Sequence, residues 1–199
     1  MRRMESSSRT PALHDRAAAN LDYIRSAMER TGSFTGVSGA GFVAAGLSAG
    51  AAAALAAGQA TVAGWSAVWA GELLLAAAIS VFTSARKGRR VGTPLGSPPA
   101  RRFLLAFTPP MLAGGVLSAA LLAAGAPALV PAVWLLLYGA AVANAGAHSV
   151  RPVQFMGMAF MGLGVVAAFL PAWGDPLLAA GFGGLHVGFG ALLMRRHGG

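Results

Sequence analysis

Three polar side chains stand in the middle of stretches that are otherwise apolar: Glu72, Tyr138 and His186. Each lies about ten residues from the start of its stretch, which at 1.5 Å per helical residue is ~15 Å. A carboxyl, a phenol and an imidazole at one depth of a bilayer can hold a proton, relay it, or bind a cation or a polar solute. Glu72 is the only acid in any of these stretches, so its charge must be accounted for. Alone in hydrocarbon a carboxyl keeps its proton; beside a protonated His186 it ionises. The expectation is that Glu72, Tyr138 and His186 converge as a buried midplane site, with Ser48 near the same level. Two plainer outcomes stay open: a hydrogen-bonded interhelical clamp, worth ~0.6–2 kcal/mol, or three residues that never meet.

A second polar group comprises Asn144, His148, Ser149, Arg151 and Gln154. Asn144 and His148 are four apart and share a helix face. The group reads either as interfacial side chains reaching water and headgroups, or as the cytoplasmic mouth of a cavity. Met156, Met158 and Met161 are soft donors suited to Cu(I), but methionine is equally good packing. The chain has no Cys, which removes disulfides, thiolate zinc sites, iron–sulfur clusters and cysteine nucleophiles together. His148 and His186 fall at different depths and do not offer two axial haem ligands. No H-E-x-x-H, G-x-S-x-G, Walker or Rossmann pattern is present. No catalytic residue, metal or cofactor is therefore expected. Asp175-Pro176 reads as a helix cap followed by proline at the first helical position.

The elements that must carry these residues are legible from composition. Of 199 residues 56% are hydrophobic and only 11% charged, against roughly 25% charged in an ordinary globular domain. Residues 36–57, 62–83, 103–124, 127–147, 152–172 and 176–194 form six apolar runs of 19–22 residues. About 20 residues cross a hydrocarbon core of ~30 Å, so the fold class is an all-α, polytopic membrane protein with six transmembrane helices. The net charge of +9 would suit a nucleic-acid partner, but all 15 Lys and Arg lie outside the apolar runs. With the N-terminus inside, every one of them is cytoplasmic, and the outer turns carry only Asp175. That is a complete positive-inside bias; the basic residues record topology, and no nucleic-acid partner is expected. Residues 1–10 lack the apolar core of a cleaved signal peptide and read as a disordered tail.

Residues 11–32 read as a cytoplasmic amphipathic helix. Thr10 is its cap, Pro11 its first residue and Gly32 its stop. Leu13, Ala17, Leu21, Ile24 and Met28 make one apolar stripe. That stripe packs on the protein's own bundle, lies at the lipid interface, or docks a cytoplasmic protein or a second copy of the chain. Residues 84–102 read as a flexible basic loop near anionic headgroups. The six spans pair as three hairpins, and Ala67-Val68-Trp69 and Ala132-Val133-Trp134 hint at internal repetition. Gly46 with Gly50, and Gly184 with Gly188, are spaced for close helix contact. Pro109 and Pro110 free the carbonyls of Leu105 and Ala106, so the third span must kink or begin near Thr108.

Several segments resemble a group of bacterial six-span membrane proteins. They are Glu29-Arg30-Thr31-Gly32-Ser33-Phe34-Thr35, Leu136-Leu137-Tyr138-Gly139-Ala140 and Gly181-Phe182-Gly183-Gly184-Leu185-His186, together with the start near His14 and the final Arg195-Arg196-His197-Gly198-Gly199. The resemblance implies a bacterial inner-membrane location and a shared architecture, and it implies no activity and no functional residues. The residues themselves suggest a small transport or permeation protein using Glu72 and His186. From another class, they also suit a non-catalytic membrane scaffold that binds a partner through its N-terminal helix.

Overall fold

The structure is a computed structural model, which describes residues 15–23 and 32–197, the last without its side chain. The expected tail over 1–10 and most of the expected helix over 11–32 lie outside the described residues. Residues 15–23 form a short helix, α1, which belongs to a unit separate from residues 33–199. In the second unit α2 spans Gly39–Ala57, α3 Val62–Arg90, α4 Pro98–Ala123, α5 Val130–Gly146 and α6 Arg151–Phe169. The last span is composite. A 3-10 turn over Pro171–Trp173 leads into α7, Gly174–Leu178; a π-helical segment follows over Ala179–Leu185, then α8, His186–His197. No strand occurs among the described residues. Six helical segments are long and apolar enough to cross a membrane, the fourth extended by a 3-10 turn at Pro127–Leu129 and the sixth running from Pro171 to Arg196.

The start signals explain where the helices depart from the apolar runs. Ser38, not residue 36, begins the first span: its hydroxyl accepts the Gly41 N–H at 3.1 Å, the usual service of an N-cap serine. Thr61 caps α3 by accepting from Gly64 N–H at 3.0 Å. The expected loop over 84–102 shrinks to residues 91–97. α3 continues to Arg90, with Lys87, Arg89 and Arg90 in its last turn, where cations complement the helix dipole. α4 starts early because Ser97 caps it and Pro98-Pro99 occupy its first positions, where missing N–H groups are harmless. Lys87, expected at the headgroups, is instead buried.

α4 passes through Pro109 and Pro110 as one continuous helix. The freed Ala106 carbonyl accepts from Asn144 Nδ2 of α5 at 3.0 Å, so a neighbouring side chain replaces the N–H that Pro110 lacks. Thr108 Oγ1 donates to Leu104 O at 2.8 Å in the same turn.

Glycines set the central packing. A methyl group on Gly139 would lie 2.8 Å from Gly157 O, and one on Gly157 would lie 2.6 Å from Gly139 O. The same mutual approach joins α2 to the last span, where Gly39 and Gly190 face each other's carbonyls at 2.7 and 2.8 Å. Both close approaches need a missing side chain on each helix. Of the expected glycine pairs, a methyl on Gly46 would lie 2.8 Å from Gly183 O and one on Gly183 would lie 3.5 Å from Gly50 Cα, while the Cβ positions of Gly184 and Gly188 meet open space. Gly46 and Gly50 thus share Gly183, and a spacing of seven recurs beside them: Gly39 and Gly46, Gly139 and Gly146, Gly157 and Gly164, Gly183 and Gly190. A seven-residue step keeps a residue on one face for two turns, with ~20° of drift.

The core beneath these contacts holds Leu135, Val153, Met156, Phe160 and Leu193. The segment before α2 is sewn to the α5–α6 turn. Phe34 N–H donates to His148 O at 2.8 Å and Ser149 Oγ donates to Phe34 O at 2.6 Å. α3 packs along α2 and α4 along α5, but α3 and α4 do not pack on each other along their lengths.

Candidate functional site

α2, α3, α4, α5 and the last span each contribute residues at helical spacing to one cavity of about 410 Å³. α3 supplies Trp65, Trp69, Glu72, Ala76 and Ser80; α4 supplies Met111, Gly115, Ser118 and Leu122. α5 adds Val130, Trp134 and Tyr138, and the last span adds Leu178, Phe182 and His186. Four-residue steps overshoot one α-turn. The wider π turn over Ala179–Leu185 offsets that drift and keeps Leu178, Phe182 and His186 on the cavity side. Single π turns recur at functional sites, and the glycines Gly181, Gly183 and Gly184 weaken the local preference for α geometry.

All three residues expected at the midplane line this cavity, in two hydrogen-bonded pairs. Glu72 Oε1 accepts from Ser48 Oγ at 2.8 Å. Tyr138 Oη and His186 Nε2 are 2.7 Å apart. Glu72 and His186 are both buried, yet among the described residues they make no hydrogen bond to each other: each takes a hydroxyl from a different helix instead. The direct carboxylate–imidazole contact is thus replaced by two pairs facing a shared space.

The serine is the informative partner of Glu72. Its oxygen also lies 3.0 Å from Ala45 O, and a hydroxyl has one proton to donate. When Glu72 is a carboxylate, that proton goes to Glu72. When Glu72 is protonated, the acid can donate to Ser48, and Ser48 turns to the carbonyl. Each charge state of the acid thereby has a complete hydrogen-bond arrangement.

The imidazole sits among aromatic rings. Phe182 stacks on it at 5.9 Å and 17°, while Phe42 and Phe160 meet it edge-on at 5.5 and 5.4 Å. The carbonyls of Gly181 and Phe182 act on the ring as acceptors, although Nδ1 has no hydrogen bond of good geometry. Carbonyls only accept, so the Nδ1–H tautomer suits this setting, and Tyr138 O–H then donates to Nε2.

Three buried polar atoms among the described residues have no hydrogen-bond partner, Ser66 Oγ, Trp69 Nε1 and Ser118 Oγ, and His186 Nδ1 has only the poorly aligned backbone carbonyls. All four residues line this cavity. The four atoms themselves are buried, so they lie behind the cavity wall rather than on its surface. Ser66, Trp69 and Ser118 were not singled out by sequence. The signal was present in the α3 stripe of Trp65, Trp69 and Glu72 at i, i+4 and i+7, where the aromatics resemble ordinary interfacial tryptophans.

The second polar group does not assemble. Asn144 serves the Ala106 carbonyl, and His148 is held through its backbone. Arg151 lines a shallow surface depression with Arg196, and Gln154 is exposed. Among the described residues no hydrogen bond joins the four side chains. Asp175 does not cap its helix either; Trp173 holds the cap position without a side-chain bond. The Asp175 carboxylate accepts from Trp65 Nε1 at 2.9 Å, tying the start of α3 to the last span.

No family model, curated protein or solved structure matches the chain. The likeness to bacterial six-span proteins therefore stands on the segments quoted for it. The fold itself supplies the coarser statement, a multi-pass membrane protein.

Proposed function

We propose that this is a small bacterial inner-membrane transport or permeation protein, with both termini cytoplasmic, that holds its solute at mid-membrane between Glu72 and the Tyr138–His186 pair. The observation that carries this reading is that Glu72, Tyr138 and His186 all line one cavity of about 410 Å³. A clamp that only held helices together would gain nothing from a cavity beside it, since unfilled space forfeits packing contacts. The Ser48 hydroxyl, able to serve Glu72 in either charge state, suits a carboxyl that gains and loses a proton as solute comes and goes.

An imposed pH gradient tests this without an identified solute. Proteoliposomes with a trapped pH dye are expected to dissipate the gradient faster than protein-free vesicles, and Glu72→Gln is expected to abolish most of the excess. Equal excess in Glu72→Gln and the parent chain, with both eluting and unfolding alike, would overturn the reading. So would the absence of any excess.

A further inference from the structure

The cavity has a side opening, and its position says where the occupant comes from. Ala70, Leu73 and Ala77 of α3, and Gly115, Ala119 and Leu122 of α4, line the cavity and are also exposed. A residue that does both stands on the rim. These six form the facing edges of the two helices that do not pack on each other. Every rim side chain is apolar or absent, so the opening faces hydrocarbon and presents nothing to hold a hydrated ion at its entrance.

Inside, polar side chains appear, and one of them can carry a negative charge. Glu72 is the single carboxyl of the lining; Lys and Arg are absent from it. Around it stand the rings of Trp65, Trp69, Trp134, Tyr138 and Phe182. Aromatic faces attract cations, most strongly where both are shielded from water. An anion would meet a carboxyl and ring faces, both repulsive, with no basic group to offset them. A neutral apolar molecule would leave Glu72 unanswered.

Resting on the transport reading above, we infer that the solute is a lipophilic organic cation, an ammonium-type charge on an apolar body, that enters from the bilayer between α3 and α4 and pairs with Glu72. The apolar body fills the space between the tryptophans, and the charge sits at the level of Glu72 and Ser48. The volume suits this, since small-molecule sites of ~300–1,000 Å³ are mostly apolar with a few placed polar groups.

The test uses phenyltrimethylammonium and its uncharged carbon isostere, tert-butylbenzene, with the full chain in lipid nanodiscs. Occupancy is read from the fluorescence of the lining tryptophans, and each probe's concentration is corrected for partition into the bilayer. The cation is expected to bind about tenfold more tightly than the isostere, and in Glu72→Gln that ratio is expected to fall to about one. Filling the opening with Gly115→Phe, at a position whose Cβ meets nothing within 4 Å, is expected to abolish binding of both probes without lowering thermal stability. Equal affinity for the two probes in the parent chain would overturn the cation assignment while leaving a binding cavity in place. Binding of neither probe would instead remove the site on which the transport reading depends. Undiminished binding in Gly115→Phe would exclude the gap between α3 and α4 as the way in.

Discussion

Asn144 illustrates how a residue can be placed from sequence while its partner stays hidden. Its sequence position, four residues before His148 near a turn, suggested a wet interfacial group, and it is exposed near the end of α5. Its amide also repairs the hydrogen-bond ladder of the neighbouring helix, donating to the carbonyl that Pro110 leaves without a partner. The two signals were separately visible, a proline that frees Ala106 O and an asparagine in an apolar run, but only the packing of α4 on α5 joins them. The pairing makes a quantitative expectation. Asn144→Leu strands the Ala106 carbonyl and should destabilise the protein by ~0.6–1.7 kcal/mol, the range found for interhelical hydrogen bonds in membranes. Pro110→Ala restores an N–H one turn along the helix, so the double variant should recover most of that loss. Reversible unfolding of the four proteins in one detergent measures the cycle. Additive losses would mean that Asn144 stabilises the fold in some other way. Glu72 and His186 are the converse case. Counting along the helices pointed to two residues that line one cavity, whereas their partners Ser48 and Tyr138 depend on rotation about each helix axis, which apolar sequence scarcely encodes.

At the scale of helices, the apolar runs located all six spans, and the departures arise where local chemistry overrides hydropathy. Ser38, Thr61 and Ser97 move helix starts because a side-chain cap satisfies N–H groups that hydropathy ignores. The π turn before His186 was invisible, since nothing in Ala179–Leu185 distinguishes it from the other glycine-rich stretches. Glycine contacts were partly legible: the four-residue spacing drew attention to Gly46 and Gly50, but also to Gly184 and Gly188, whose Cβ positions meet open space. The seven-residue spacing shared by α2, α5, α6 and the last span is a second pattern the structure uses. Two glycines of α6 separate the effect of contact from the effect of helix propensity. A methyl on Gly157 would collide with the α5 backbone at Gly139 O and at Ala143, whereas one on Gly162 meets nothing within 4 Å. Gly157→Ala should therefore cost about 1–3 kcal/mol by forcing the helices apart, and Gly162→Ala should be neutral or stabilising by up to ~1 kcal/mol. Thermal unfolding of both variants decides it. Equal behaviour would show that α5 and α6 are not held by backbone approach.

For the molecule as a whole, the distribution of charge makes the sharpest expectation. Between residues 33 and 197 every Lys and Arg sits at one end of the bundle: the end of α3, the starts of α4 and α6, and the end of α8. The opposite end carries only Asp175, already engaged by Trp65. A basic segment is held on the cytoplasmic side during insertion while acids contribute little, so a bundle with all its cations at one end has one favoured orientation. The chain's lack of cysteine makes that orientation directly measurable, because a single introduced thiol is unambiguous. Gly96 in the turn before α4 and Gly58 in the turn before α3 lie at opposite ends, and both tolerate a side chain: the Cβ position of Gly96 is open, and that of Gly58 has its nearest atom at 3.6 Å. A membrane-impermeant maleimide added to intact spheroplasts is expected to label Gly58→Cys and to leave Gly96→Cys untouched until the membrane is opened. The reverse pattern would invert the protein. It would also turn the end of the cavity near Trp65 toward the cytoplasm, changing the side on which an occupant of the Glu72 site exchanges with water.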